Sequence, residues 1–195
     1  MYSVGDVVCY PMHGIGKIES IKKSSALGEL SDYYVLRFEE GRIVTMVPVA
    51  GAEELGLRYV LSADECRHAI DYISLASPIN LSSDWEKRRQ YITSQLNSGD
   101  PLKTIDVIIT LSTRSGYRGL STGEHRILDA SIKTLVSELT YVLSIDESEI
   151  TKLIDTRIDL IRKSLEDDCR SFLSVSTNCQ NCFCHSRNRY WPKYS

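Results

Sequence analysis

The apolar residues of this 195-residue chain change their period once, and that change limits the folds open to it. Up to Pro48 they alternate, most clearly over Tyr33 to Phe38, where Tyr34, Leu36 and Phe38 share one side. That is the two-residue repeat of a strand with one face in a core. From Ser62 onward they recur three and four residues apart, as in Cys66, Ala69, Ile70 and Ile73, which is the stripe of an amphipathic helix. The expectation is therefore an α+β protein with its strands first and its helices after them.

The β half offers short strands and tight turns with no helix between them. Val7 to Tyr10 is closed by Pro11; Gly14 and Gly16 follow, and Ile15, Ile18 and Ile21 lead into Lys22 and Lys23. Glu40-Gly41 signals a turn, and Arg42 to Pro48 reads as a last strand with Ile43, Thr45 and Val47 on one side and Val44 and Met46 on the other. Such spacing predicts a small, strongly twisted antiparallel barrel. Pro48 cannot donate to a ladder, so this strand belongs at an edge. An edge formed by Arg42, Val44, Met46 and Pro48 either extends a partner's sheet or is an ordinary protected edge.

Five helices are expected after it. Ser62 and Glu65 have capping-box spacing for the first. The second starts at Ser83 or Asp84, with a capping box to Glu86, and runs to Ser98, with Gly99 after it. Asp100-Pro101 opens a third, largely apolar and hence central helix. Arg114 to Gly119 reads as a basic loop. Ser121 and Glu124 cap a long fourth helix, and a fifth spans about Glu147 to Leu165. The corresponding division is 1–57 for the barrel, 58–166 for the helices and 167–195 for a cysteine-rich, disordered tail.

The second helix begins with the most unusual local chemistry. Trp85, one of only two tryptophans, is followed at once by Lys87, Arg88 and Arg89. A flat apolar ring beside cations suits a protein that pries at the minor groove of a duplex while holding its phosphates. The plainer alternative is a tryptophan packed inward with the cations as a solvated face. His125 and Arg126 lie in the first turn of the fourth helix, where unpaired N–H groups also favour a phosphate. Charge is segregated: Asp84 to Lys133 carries eight Lys/Arg and six Asp/Glu, whereas Thr134 to Asp168 carries four and nine. With a formal net charge of -3, the chain does not hold nucleic acid by bulk charge, and any contact is local.

The order of these motifs resembles the CarD/CdnL family of bacterial transcription regulators. The likeness runs through Val4-Gly5-Asp6, Tyr10-Pro11, His13-Gly14, Tyr34 to Arg37, Val47-Pro48 and Gly56-Leu57-Arg58, then Trp85, Arg88-Arg89, Ser98-Gly99-Asp100, Leu120-Ser121, Gly123-Glu124, Arg126 and Leu128. It covers residues 1 to about 165. It implies a Tudor-like (SH3-like) barrel docked on the RNA polymerase β subunit. It also implies a helical part at promoter DNA near the -10 element, where Trp85 wedges into the minor groove at the upstream edge of the bubble and stabilises the open complex. By the same resemblance, Lys87, Arg88, Arg126 and His125 hold phosphates. Gln90 is neutral and His125 stands where lysine or arginine is usual, so these are departures from the pattern.

Three other readings compete. A protein adaptor would use the barrel, which also occurs in transcription-repair coupling factors, with the helices as a brace. A free-standing repressor would bind DNA without polymerase, against the acidic balance. No nucleophile motif or glycine-rich phosphate loop supports an enzyme. Cys179, Cys182, Cys184 and His185 offer four soft ligands within seven residues and suit zinc; a disordered tail with incidental cysteines is the alternative, and no other cofactor is expected. The N-terminus has no basic segment ahead of an apolar core and no apolar run is long enough to span a bilayer, so the expectation is a cytoplasmic monomer with reduced cysteines.

Overall fold

The computed structural model describes residues 1–25, 31–38 and 44–175. Its first half is one antiparallel sheet of five strands, β1 (Val7–Tyr10), β2 (Gly14–Ser24), β3 (Ser31–Phe38), β4 (Val44–Pro48) and β5 (Arg58–Tyr59), in the order β4-β3-β2-β1-β5. Five helices follow: α1 (Ala63–Leu75), α2 (Trp85–Asn97), α3 (Pro101–Arg118), α4 (Thr122–Leu143) and α5 (Glu147–Val175). This is the expected α+β arrangement, a Tudor-like β unit followed by an all-α part.

Tyr34, Leu36 and Phe38 enter the sheet's core with Val8, Ile18 and Val47. Register explains the choice of face: Leu36 lies opposite Ile18 and Tyr34 opposite Val47. Between Ile18 and Ser20 the register slips, so Glu19 forms a bulge that adds twist. At Gly16 a β-carbon would fall 2.9 Å from the Phe38 ring, so the absence of a side chain lets Phe38 reach the core. Tyr2 closes one end, its hydroxyl donating to the Leu57 carbonyl at 2.7 Å. β4 is an edge strand, as the proline at its end requires.

The helices begin where local capping dictates. Ser62 and Ser121 form reciprocal boxes with Glu65 and Glu124, and Asp100 precedes Pro101 as N-cap. α2 differs in detail. Asp84 is its N-cap, but Glu86 bonds Arg89 and Gln90 instead of completing a box. α3 carries Ile105, Val107, Ile108, Ile109 and Leu111, all buried, and is the centre of the bundle.

Three expectations are corrected. The segment from Arg114 is no loop, since α3 stays helical to Arg118. Arg162 of α5 donates to the Ser112 carbonyl and packs against Gly116, and this tertiary packing outweighs the helix-breaking tendency of Ser115 and Gly116. α5 continues to Val175, so the first residues assigned to a disordered tail are helical. The sheet also reaches past residue 57, because Arg58 and Tyr59 pair with Cys9 and Val8.

The two halves meet at a tight seam. Arg58 of β5 grips Glu138 of α4 with both terminal nitrogens, the second at 2.7 Å, and the Leu61 N–H donates to the same carboxylate at 3.1 Å. Gly56, at φ 84°, lies so close to α2 that a β-carbon would sit 2.5 Å from Pro11 Cγ and 2.9 Å from the Asn97 carbonyl. Among the described residues no helix is long and apolar enough to cross a membrane.

Candidate nucleic-acid interface

The site is assembled where the N-termini of α2 and α4 meet. Asp84 turns the chain into α2 by accepting from the N–H groups of Glu86 and Lys87 at 2.8 and 3.2 Å. This puts Trp85 in the first turn, before the helix is fully flanked by neighbours. The residue is 39% exposed. The ring is held all the same. The Arg88 guanidinium carbon lies 5.6 Å from its centroid, within cation–π range. The far edge of the ring passes over Gly123 in α4, where a β-carbon would be 3.4 Å from Cη2 and 3.6 Å from Cζ2.

Arg88 is the clearest departure from expectation. It was expected on a phosphate-facing surface and is only 7% exposed. Its Nε donates to Glu124 Oε1 at 3.1 Å, and its Nη1 donates to the carbonyls of Ser82 and Ser83 at 3.0 and 2.7 Å. At i+3 from Trp85 it shares the ring's side of the helix, and that side faces α4. A guanidinium buried there with a carboxylate is not available to a phosphate.

Glu124 is the other half of the node. The Ser121 N–H and hydroxyl donate to its Oε2 at 2.9 and 3.0 Å, and Arg114 Nε approaches its Oε1 at 4.0 Å. Burial pushes the Glu124 carboxyl up, but the bonds from Ser121 and Arg88 outweigh that and hold it below the usual glutamate range. Gly123 and Glu124 were not among the expected site residues. Glu124 carried a signal as a cap, but nothing local linked it to Arg88.

The remaining cations stay at the surface. Arg89 is exposed and forms a two-pronged pair with Glu86, at 2.7 and 3.2 Å, which offsets part of its charge. Lys87 is exposed and has no side-chain hydrogen bond or ion pair among the described residues. His125 and Arg126 are exposed in the first turn of α4, immediately after the residues that seat the indole. The partly open ring thus stands at the start of a helix that carries exposed Lys87 and Arg89, and exposed His125 and Arg126 follow Gly123 in α4.

On the sheet, Val44 and Met46 point away from the core and are 46% and 43% exposed, while Pro48 is half-buried. Two apolar side chains on the outer face of an edge strand suit addition to another strand. Arg42 lies outside the described residues, as do Cys179, Cys182, Cys184 and His185. Among the described residues no group of three His, Cys, Asp or Glu is placed to hold a metal.

Comparison with known proteins divides the chain in the same two parts. Residues 2–61 match the CarD-like/TRCF RID domain, and residues 73–155 match the C-terminal domain of CarD. Over 150 residues the chain is 27% identical to a Bacillus subtilis (strain 168) protein named "Putative transcription factor YdeB", which covers 77% of this chain and 97% of that protein.

Proposed function

This chain belongs to the CarD family of transcription regulators, and on that premise we propose that it docks on the RNA polymerase β subunit through β4 and stabilises the promoter open complex by wedging Trp85 into the minor groove at the upstream edge of the bubble. The observation that carries this is Trp85, set against Arg88 and Gly123 yet partly open to solvent at the start of a helix whose Lys87 and Arg89 are exposed. Lys87, Arg89, His125 and Arg126 hold the flanking phosphates, and Arg88 acts from within. Val44 and Met46, with Pro48, form the polymerase-facing edge.

The physical basis is differential binding. A factor shifts the balance between closed and melted promoter only by the difference in its affinity for the two. One inserted indole is worth about 1–3 kcal/mol by the measure of base stacking on aromatic side chains, or about a five- to hundredfold shift. The net charge of -3 leaves little free affinity for DNA, so docking on polymerase supplies the local concentration. The test is a promoter footprint with polymerase, with and without the protein. Protection at the upstream bubble edge that disappears with Trp85→Ala supports the reading; an identical footprint with Trp85→Ala overturns it.

The burial of Arg88 and the Glu86–Arg89 pair leave the surface less cationic than the sequence suggested, which favours a second reading: a polymerase-binding adaptor with no DNA contact. Retained polymerase binding with no change in the footprint identifies it.

A further inference from the structure

We propose that Arg88, Glu124 and Gly123 are positioning residues that set the pose of Trp85 in the free protein, so that the indole is presented ready for insertion. This rests on the wedge reading given above and adds to it the residues that fix the wedge.

The chain of contacts starts at the cap of α4. Ser121 fixes Glu124 Oε2 through its N–H and hydroxyl, leaving Oε1 to receive Arg88 Nε at 3.1 Å. The same guanidinium ties down the loop before α2 through the carbonyls of Ser82 and Ser83. With its bonds made in these directions, Arg88 has its guanidinium carbon 5.6 Å from the Trp85 ring centroid. Gly123, one residue before the anchoring carboxylate, lies under the edge of the indole, where a β-carbon would just touch Cη2 at 3.4 Å and any larger side chain would meet the ring. One turn of α4 therefore supplies both the seat for the ring and the anchor for the cation beside it.

The burial of the pair gives the arrangement its stiffness. A surface arginine beside a tryptophan exchanges among rotamers and holds nothing in place. Here both charges are withdrawn from water, with side chains 8% and 2% exposed, and each is satisfied by several directed bonds. Desolvation makes such a pair a weak source of net stability, yet its geometry is narrow because a broken bond leaves a buried charge unpaired. Presenting the ring in one pose lowers the ordering cost of binding, which is how preorganisation raises affinity without adding a contact.

A simple staple between α2 and α4 would use the same ion pair, and the experiment separates the two roles. Trp191→Phe leaves Trp85 as the sole tryptophan, so acrylamide quenching of its fluorescence reads the pose without DNA or polymerase. Arg88→Met in that background is expected to raise the quenching constant about twofold, the gain in access open to a residue that is 39% exposed once the cation–π contact no longer holds it. It is also expected to shorten open-complex lifetime toward that of Trp85→Ala and to add nothing when combined with Trp85→Ala. A staple lowers the melting temperature, leaves quenching unchanged and adds to Trp85→Ala in the double variant; either of the last two results overturns the proposal. Gly123→Val leaves the ion pair intact and fills the seat, so it covers the case in which Arg88→Met does not fold. It is expected to raise quenching likewise, and unchanged quenching overturns the proposal. Because quenching is read on the free protein, a Trp85→Ala chain with normal open-complex lifetime removes the wedge reading while the pose is still judged on its own.

Discussion

Arg58 and Glu138 join the two halves of the molecule: the guanidinium, on the last strand of the sheet, meets a carboxylate on α4 that is 1% exposed and also receives the Leu61 N–H. The pair holds the sheet and the helical bundle in fixed relation, which the proposed bridging of polymerase and promoter requires. Glu138→Ala leaves a largely buried arginine without its partner and is expected to cost about 3 kcal/mol. Chemical denaturation measures it; a loss under about 1 kcal/mol would mean that the pair is solvated and the seam loose.

The proposed docking edge can be tested without disturbing the core. Val44 and Met46 point outward, so Val44→Lys with Met46→Asp is expected to change stability by no more than about 0.5 kcal/mol. The same double substitution is expected to abolish capture of the chain by the RNA polymerase β subunit. Full capture would move the docking surface elsewhere on the barrel.

The Glu124 node makes stability depend on acid. Burial raises this carboxyl and the bonds from Ser121 and Arg88 lower it by more, so its folded pKa lies below the unfolded value of about 4.3. A group depressed on folding contributes its stability above the unfolded pKa and loses it as pH falls through the folded one. Melting temperatures taken between pH 6 and pH 3 should therefore fall, and Glu124→Gln should flatten part of that fall. Parallel curves for the two proteins would show that the carboxylate is not bonded as described.

Two cysteines should be inert. Burial, and next the nearby Glu138 charge, push the Cys9 thiol up to about 12 and the Cys66 thiol up to about 11. At pH 8 only about one Cys9 in ten thousand is a thiolate, so iodoacetamide should leave both unmodified in the folded protein. Peptide mapping after alkylation checks this; rapid labelling of either residue would show that the seam opens.

What could be read from the sequence follows the range of the interactions. Ser62, Asp100 and Ser121 announce their helices because capping is settled within three residues, and the face chosen by Tyr34, Leu36 and Phe38 follows from strand geometry alone. The inward turn of Arg88 could not be read, because its partner Glu124 is 36 residues away and a basic run looks the same whether solvated or buried. β5 is two residues long and too short to have a period, and it exists only because β1 is beside it. The Arg114 segment looked like a loop for its glycine and serine, and Arg162, far along the chain, holds it helical. The position of Trp85 at the start of α2 was legible from Asp84. Its seat on Gly123 depends on how two helices pack, and no local pattern encodes that.

The central claim is tested most directly by the dissociation half-life of promoter open complexes formed by polymerase alone, with the wild-type chain and with Trp85→Ala. The account predicts that the wild-type chain lengthens the half-life about five- to hundredfold, and that Trp85→Ala binds polymerase equally well but loses most of that gain. Equal half-lives with the two chains, both bound to polymerase, would contradict it.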